Sequence, residues 1–355
     1  MNTSFPFAIV DPHIHQWDLL HTPRILTWPR RLLGWNPWLY RTVLQLGAKA
    51  SDRDYVGRPD YVMWDYLPAD YAADAAGLPI EQVVHVEAEW RDRSPLGPAG
   101  ETRWLDQLFG PGQRPGLGAI VAYADLRRRD VTALLQAHQN ASGRLRGIRQ
   151  MLAFDRDDGI MRFCDQPGLA LDPDFRRGLA LLQQYDLTFD AWVFHHQLGE
   201  MVQLARAFPA QTFILDHMGT PIGLGGPFAS YGRSAAARDV ILKTWQYGML
   251  ELAECPNVQV KLSGFFMPVV GWGFEHRREP VSAQELLDAF APHAHFVLQH
   301  FGVERCLFAS NFPMDKVSLS LRQLYQLYAD TVSGLSESDQ RKLFADNARR
   351  LYRLA

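Results

Sequence analysis

VDPHIHQWD, residues 10–18, sets two histidines two positions apart behind a short apolar run near the start of the chain. In an extended strand, residues two apart share a face. Asp11, His13 and His15 are therefore expected on one side, with Val10 and Ile14 on the other. Two imidazoles on one face can chelate one cation, and neutral imidazole suits zinc and similar metals. A third ligand has to come from elsewhere in the chain, and His195 or His196 offers it.

The run that leads into these histidines, FAIVDPH (7–13), is the first of eight short apolar, β-branched segments. The others are QVVHVEA (82–88), GAIVAYA (118–124), LRGIRQ (145–150), LTFDAWVF (187–194), TFILDH (212–217), VQVKLSG (258–264) and RCLFASN (305–311). Helical patterns fill the gaps, most clearly at 68–77, 129–142, 172–185, 196–208, 237–254 and 282–302. Alternating strand and helix implies parallel strands with right-handed crossovers, and eight such units predict a (β/α)8 TIM barrel. An open doubly wound sheet usually carries a glycine-rich first turn that cradles phosphate, whereas DPHIHQWD has no glycine. The whole chain, 1–355, is expected to form one barrel domain.

One connection breaks the repeat. Residues 21–67, between the first strand and the first clear helix, hold Trp28, Trp35, Trp38, Trp64, Tyr40, Tyr55, Tyr61 and Tyr66. So long a connection is usually functional, and this one leaves the strand end where barrel enzymes keep their chemistry. It is read as an aromatic lid, with Trp64 placed against substrate. Its other use would be as a packing extension or a dimer interface.

Composition narrows the partners. The 355 residues carry a net charge of −3, which gives no electrostatic case for nucleic acid or a membrane surface. No apolar run approaches the roughly 18 to 20 residues of a membrane span. Cys164, Cys255 and Cys306 are odd in number and far apart, so they predict no disulfide framework and fit a reducing, cytoplasmic compartment. The N-terminal MNTSFPFAIVD lacks the basic and apolar regions of a signal peptide. A small-molecule partner is left, with homo-oligomerisation open.

Strands of a parallel sheet covered on both faces should be nearly all apolar. Here most of them end in ionisable groups at the same end of the sheet: His13 and His15, then His85 and Glu87, Arg149, His195 and His196, Asp216 and His217, and Lys261. A lone strand-end histidine is usually structural, and a lone strand lysine is usually solvated. Burying so many without partners costs several kcal/mol each, so convergence on one site is the economical reading.

As a set, VDPHIHQWD, VVHVEAEW, GIRQ, FHHQLGEMVQLARAFP, ILDHMGTP, VKLSG and FASNFPMDK resemble the amidohydrolase superfamily, in particular its amidohydrolase-2 branch of metal-dependent TIM-barrel hydrolases. The resemblance spans essentially the whole chain. The branch includes sugar lactonases and 2-pyrone-4,6-dicarboxylate lactonases. The resemblance implies His13 and His15 as a metal pair with His195, and His196 as the lesser choice for the third ligand. It implies His217 as the residue that orients water or polarises substrate, and Arg149 as an anchor for a carboxylate or lactone oxygen. The departure is at the eighth strand, where the superfamily's aspartate is replaced by Asn311. An amide cannot accept a proton at neutral pH, which moves the base to Asp315 or Glu87 and leaves Asn311 to bind metal weakly or to bond substrate.

The expected function is hydrolysis of a cyclic ester of a sugar acid or of an aromatic-catabolism intermediate. A divalent metal, zinc foremost, would polarise the carbonyl, with a metal-free site left open by Asn311. Lys261 and Arg149 would neutralise developing charge or hold a carboxylated or cyclic substrate. The alternatives are metal-dependent non-oxidative decarboxylation of an aromatic acid and a binding barrel without catalysis. Lactone against aromatic acid rests on the resemblance, not on the residues.

Overall fold

In the computed structural model, which describes residues 5–110 and 112–354, eight parallel strands pair in chain order. They are β1 (Ile9–Ile14), β2 (Ile80–Val86), β3 (Gly116–Tyr123), β4 (Leu145–Arg149), β5 (Thr188–Ala191), β6 (Phe213–Leu215), β7 (Val258–Leu262) and β8 (Cys306–Phe308). Just beyond β8 the sheet meets β1. Asn311 N donates to His13 O at 2.9 Å and His15 N to Phe312 O at 2.8 Å, giving the (β/α)8 barrel. Every apolar run of the sequence contains a strand or most of one. The crossover helices begin where polar caps start them. The Asp172 carboxylate accepts from Asp174 N and Phe175 N, and Ser282 and Glu285 form a reciprocal capping box.

The barrel is filled unevenly. Val10, Val84, Val86, Ala119, Val121, Ile214 and Leu307 pack inward with Ala348, Leu351 and Tyr352 of the C-terminal helix Asn347–Tyr352, which forms an apolar floor. A larger apolar layer lies between the sheet and its helices. The ionisable side chains occupy the opposite end, above the floor.

β1 departs from simple alternation. Its register with β2 slips between Asp11 and Ile14. Val10 therefore faces the interior while Asp11 faces outward, accepting from Tyr71 Oη at 2.6 Å and Ser310 N at 2.9 Å. Ile14 joins the outer layer. The expected shared face of Asp11, His13 and His15 is corrected here: one irregular step around Pro12 separates Asp11 from the histidines.

The long connection folds into helices Thr27–Leu33, Pro37–Gly47 and Ala50–Val56 and a turn at Pro59–Tyr61. Its base is pinned where Trp17 N donates to Tyr66 O at 3.0 Å and Tyr66 N returns a bond to Trp17 O at 2.9 Å. Among the described residues, no helix is long and apolar enough to cross a membrane.

Candidate active site

The slip in β1 leaves His13 and His15 inside the barrel with their Nε2 atoms 3.1 Å apart. Each ring is held from behind. His15 Nδ1 donates to Val86 O at 2.8 Å, and His13 Nδ1 lies 3.3 Å from Asp216 Oδ1. A histidine that hands one ring N–H to a carbonyl or carboxylate presents its other nitrogen as a ligand. Burial, aided by the charges of Lys261 and Arg149, keeps both imidazoles well below the usual histidine range, so they are neutral near pH 7.

Lys261, fully buried on β7, organises the centre. Its Nζ donates to Asp190 Oδ2 of β5 at 2.5 Å and lies 3.1 Å from both Asp216 Oδ1 and His13 Nδ1. Tyr352 Oη reaches up from the floor and donates to the same Asp190 oxygen at 2.9 Å. The lysine's position gives His13 two tautomers. Accepting from Lys261 turns Nε2–H toward His15. Donating Nδ1–H to Asp216 leaves both Nε2 atoms bare for a cation. Burial works to raise the Asp216 carboxyl, but Lys261, His13 and His217 outweigh it and hold the group well below the usual carboxylate range.

His217 follows β6 in a left-handed stretch, with φ 55° at His217, 50° at Met218 and 66° at Gly219. Such a run is sparsely allowed for non-glycine residues and is typical of functional loops. Its Nδ1 is 2.9 Å from Ser263 Oγ, and its ring centroid is 4.6 Å from that of His13. Burial lowers its pKa to about 3. Gly264 makes this placement possible. It has φ +63°, and a Cβ there would come within 2.5 Å of His217 Cγ.

Glu87 and Arg149 meet at the mouth. Arg149 Nε donates to Glu87 Oε1 at 2.9 Å and Nη2 donates to Glu87 O at 2.8 Å, while Nη1 lies 3.8 Å from Asp216 Oδ2. Glu87 is thus occupied as the arginine's partner and is not a free base. On the β8 side, Asn311 adopts φ 56° and Asp315 is completely buried. Burial pushes the Asp315 carboxyl well above its usual range. The Asn311 amide and the Gly264 and Phe266 backbones oppose this weakly, since no well-formed hydrogen bond reaches either oxygen.

Two expected residues lie apart from this group. His195 sits in the turn after β5. Its Nδ1 accepts from Ile222 N at 3.3 Å and its ring packs on Tyr231 and His196, so the structure does not bring it to His13 and His15. Among the described residues, the set offering three ligand atoms within 4.8 Å of one another is His13, Asp216 and His217. The ring of Trp64 lies between Arg30 at 4.6 Å and Tyr40 at 5.9 Å, which makes it a platform for the insertion's helices.

The insertion itself is divided. Tyr55 is buried over the mouth beside Phe163 and Trp192, and Trp192 lies 5.8 Å from His217. Trp28, Trp35 and Trp38 do not cover the mouth; they are 69%, 77% and 73% exposed. Their helices rest on the Trp64 platform and turn these side chains to solvent.

Asp190, Ser263 and Tyr352 were not among the expected site residues, and Asp216 was named among the converging strand-end groups without a role of its own. Asp190 carried a signal, since it is an acid inside the apolar run LTFDAWVF, as Lys261 is a base inside VQVKLSG. Tyr352 carried none, because its role depends on the C-terminal helix entering the barrel floor.

The donor set fits a divalent cation: neutral imidazoles backed by acceptors, and an Asp216 carboxylate whose oxygens receive no well-formed hydrogen bond. Residues 10–354 match the family described as Amidohydrolase. The chain belongs to that family. This amidohydrolase is 32% identical to the uncharacterized protein y4mH of Sinorhizobium fredii, over 98% of the chain and 99% of the relative. It is 28% identical to an L-fucono-1,5-lactonase of Burkholderia multivorans, over 82% and 93% of the two chains. An amidohydrolase from Burkholderia multivorans, solved with bound zinc, superposes on it with a TM-score of 0.69 at 25% identity, covering 98% and 100% of the two chains.

Proposed function

We propose that this amidohydrolase opens a lactone, the cyclic ester of a sugar acid or of a related ring-shaped carboxylic acid. The observation that carries the proposal is the buried His13–His15–Asp216–His217 group beside the Arg149–Glu87 pair. It joins neutral nitrogen bases to a fixed cation at one barrel mouth. Its similarity to an L-fucono-1,5-lactonase supports a sugar lactone as the first substrate to try. Zinc is the metal favoured by this donor set and by the zinc found in the amidohydrolase relative. His13 and His15 would hold it, with Asp216 as the neighbouring anion in the place expected of His195. Bound there, a divalent cation polarises the ester carbonyl and acidifies water.

The chain's own residues supply the rest. With Nδ1–H donated to Ser263 Oγ, His217 keeps Nε2 free to take a proton from the attacking water. The new C–O bond forms at the carbonyl carbon, and the ring C–O bond breaks. Asp315, kept neutral by burial, protonates the departing alkoxide, and Asn311 orients it. Arg149, held flat by Glu87, faces the developing negative charge or a substrate carboxylate. Tyr55, with Phe163 and Trp192, forms the apolar roof that excludes bulk water, which is the lid function of the insertion's inner part.

The test is a proton-release assay of the purified protein on a panel of aldono-1,4- and 1,5-lactones with L-fucono-1,5-lactone included. Ring-opened acid should form with wild type and not with His217→Asn. No turnover of any lactone, or release of CO2 from aromatic acids instead, would sink the proposal.

A further inference from the structure

The outer half of the insertion is an unpartnered apolar face. Helices Thr27–Leu33 and Pro37–Gly47 pack side by side, with Thr27 and Tyr40 turned inward. Trp28 and Leu32 lie on the side of their helix opposite Thr27, Ile25 stands in the turn that leads into it, and Trp38 and Leu46 lie on the far side from Tyr40. Trp35 sits in the turn between the helices, its Nε1 donating to Leu32 O. All six are exposed. At up to ~250 Å² of surface for a whole indole side chain, the three tryptophans alone leave roughly 500 Å² in water. Adding Ile25, Leu32 and Leu46 takes the face beyond the roughly 300 to 600 Å² of the largest patch on an ordinary monomer, and toward the ~800 Å² per partner of a standard interface.

Two occupants fit an aromatic face of this size, and charge decides between them. Residues 19–51 contain no acid and five basic side chains, a composition that suits an anionic membrane. Three of the five are spent within the chain. Arg24 is buried on Glu101, Arg30 stacks on Trp64, and Arg41 pairs with Asp60 at 3.0 Å. Arg31 and Lys49 remain, at about 1 kcal/mol each near an anionic surface, where polybasic anchors use about four to eight cations. The next helix, Ala50–Val56, adds an exposed base and an exposed acid side by side, Arg53 and Asp54, while Asp60 is already spent on Arg41. A rim with both signs around an apolar centre is self-complementary under a two-fold axis.

We propose that this face is a homodimer interface, in which Trp28, Trp35 and Trp38 of one copy pack on a second copy of the chain. The same insertion carries Tyr55 over the mouth, so the dimer ties the roof of each barrel to its neighbour. Sedimentation velocity of the full chain, from nanomolar to high micromolar concentration, tests this. A dimer is expected, dissociating to monomer in the double variant Trp35→Glu, Trp38→Glu with its circular dichroism unchanged. If that variant does not fold, Leu46→Lys, at the edge of the same face, should raise the dimer dissociation constant at least tenfold. A wild type that stays monomeric throughout overturns the proposal, as does a dimer indifferent to the folded variants. A monomer that co-sediments with phosphatidylglycerol vesicles overturns it in favour of the membrane.

Discussion

The β6 side and the β8 side of the mouth each carry a buried aspartate, and the two are held in opposite states. Asp216, after β6, lies 3.1 Å from Lys261 Nζ and 3.3 Å from His13, and its carboxyl is driven well below the usual range. Asp315, after β8, is driven well above the usual range by burial, opposed by the Asn311 amide and two backbone groups and by no cation among them. Depth alone does not separate them, since both are fully buried. The partner separates them: a cation keeps one carboxyl ionised, and its absence keeps the other protonated. Asn311, which follows β8, falls on the neutral side. The pair gives the mouth an anionic half that can hold a cation and a neutral half that can give up a proton.

The sharpest way to break this comparison is to strip the anionic half of its paired imidazoles. Replacing His13 and His15 together by alanine should lower kcat/KM on any lactone substrate by about 10³-fold or more, because carbonyl polarisation alone is worth that much. Metal bound per chain, read by mass spectrometry after dialysis, should fall with it. A double variant that keeps full activity would show that the histidine pair is structural.

The next largest effect should come from the cation that sets the state of Asp216. Lys261→Met leaves Asp190 and Asp216 buried without their ammonium, at a cost of about 3 to 5 kcal/mol in unfolding free energy. Denaturant unfolding reads it directly. A loss under about 1 kcal/mol would mean that the two acids take up protons in the variant, and that Lys261 is not what separates Asp216 from Asp315.

A smaller effect isolates His217. Gly264→Ala places a Cβ against the imidazole and puts alanine at φ +63°. A displaced base should cost kcat about 100-fold, with KM little changed. An equal loss in both constants would show that the loop has moved as a whole.

What could be read from the sequence follows from how strongly each feature is over-determined. Buried parallel strands must be apolar, so the eight runs located the barrel to within a few residues. The same rule made Lys261 conspicuous, and it should have made Asp190 so. Face assignments within β1 were not legible, because the step at Pro12 alters alternation without altering composition. The insertion's aromatic content announced buried or interacting surface but not its direction. Tyr55 turned to the mouth, Trp64 became a platform, and Trp28, Trp35 and Trp38 turned out to solvent. His195 resembles a ligand in sequence. The turn His195–Gln197 instead spends its Nδ1 on the Ile222 amide.

The smallest expected effect tests the neutral half by itself. Burial holds the folded carboxyl of Asp315 well above the usual carboxylate range, so the native state binds a proton there that the unfolded chain has already lost. Stability from this group is therefore complete below the unfolded pKa and drains away as pH rises toward the folded one. Asp315→Asn keeps the shape and has nothing to ionise. Its melting temperature relative to wild type should climb by a few degrees as pH rises above about 4, where the unfolded chain has lost the proton that the native wild type still holds. Asp216→Asn should behave in the opposite sense. There the folded pKa is depressed, so wild-type stability is present above the unfolded value and is lost only in acid. If the two variants show parallel pH profiles, both carboxylates share one ionisation state and the division of the mouth is wrong. If the profiles diverge, catalysis by Asp315→Asn gives the final discrimination. A proton donor to the leaving alkoxide should lose most where the alcohol is a poor leaving group, as in sugar lactones, and least with activated aryl esters of the same acids.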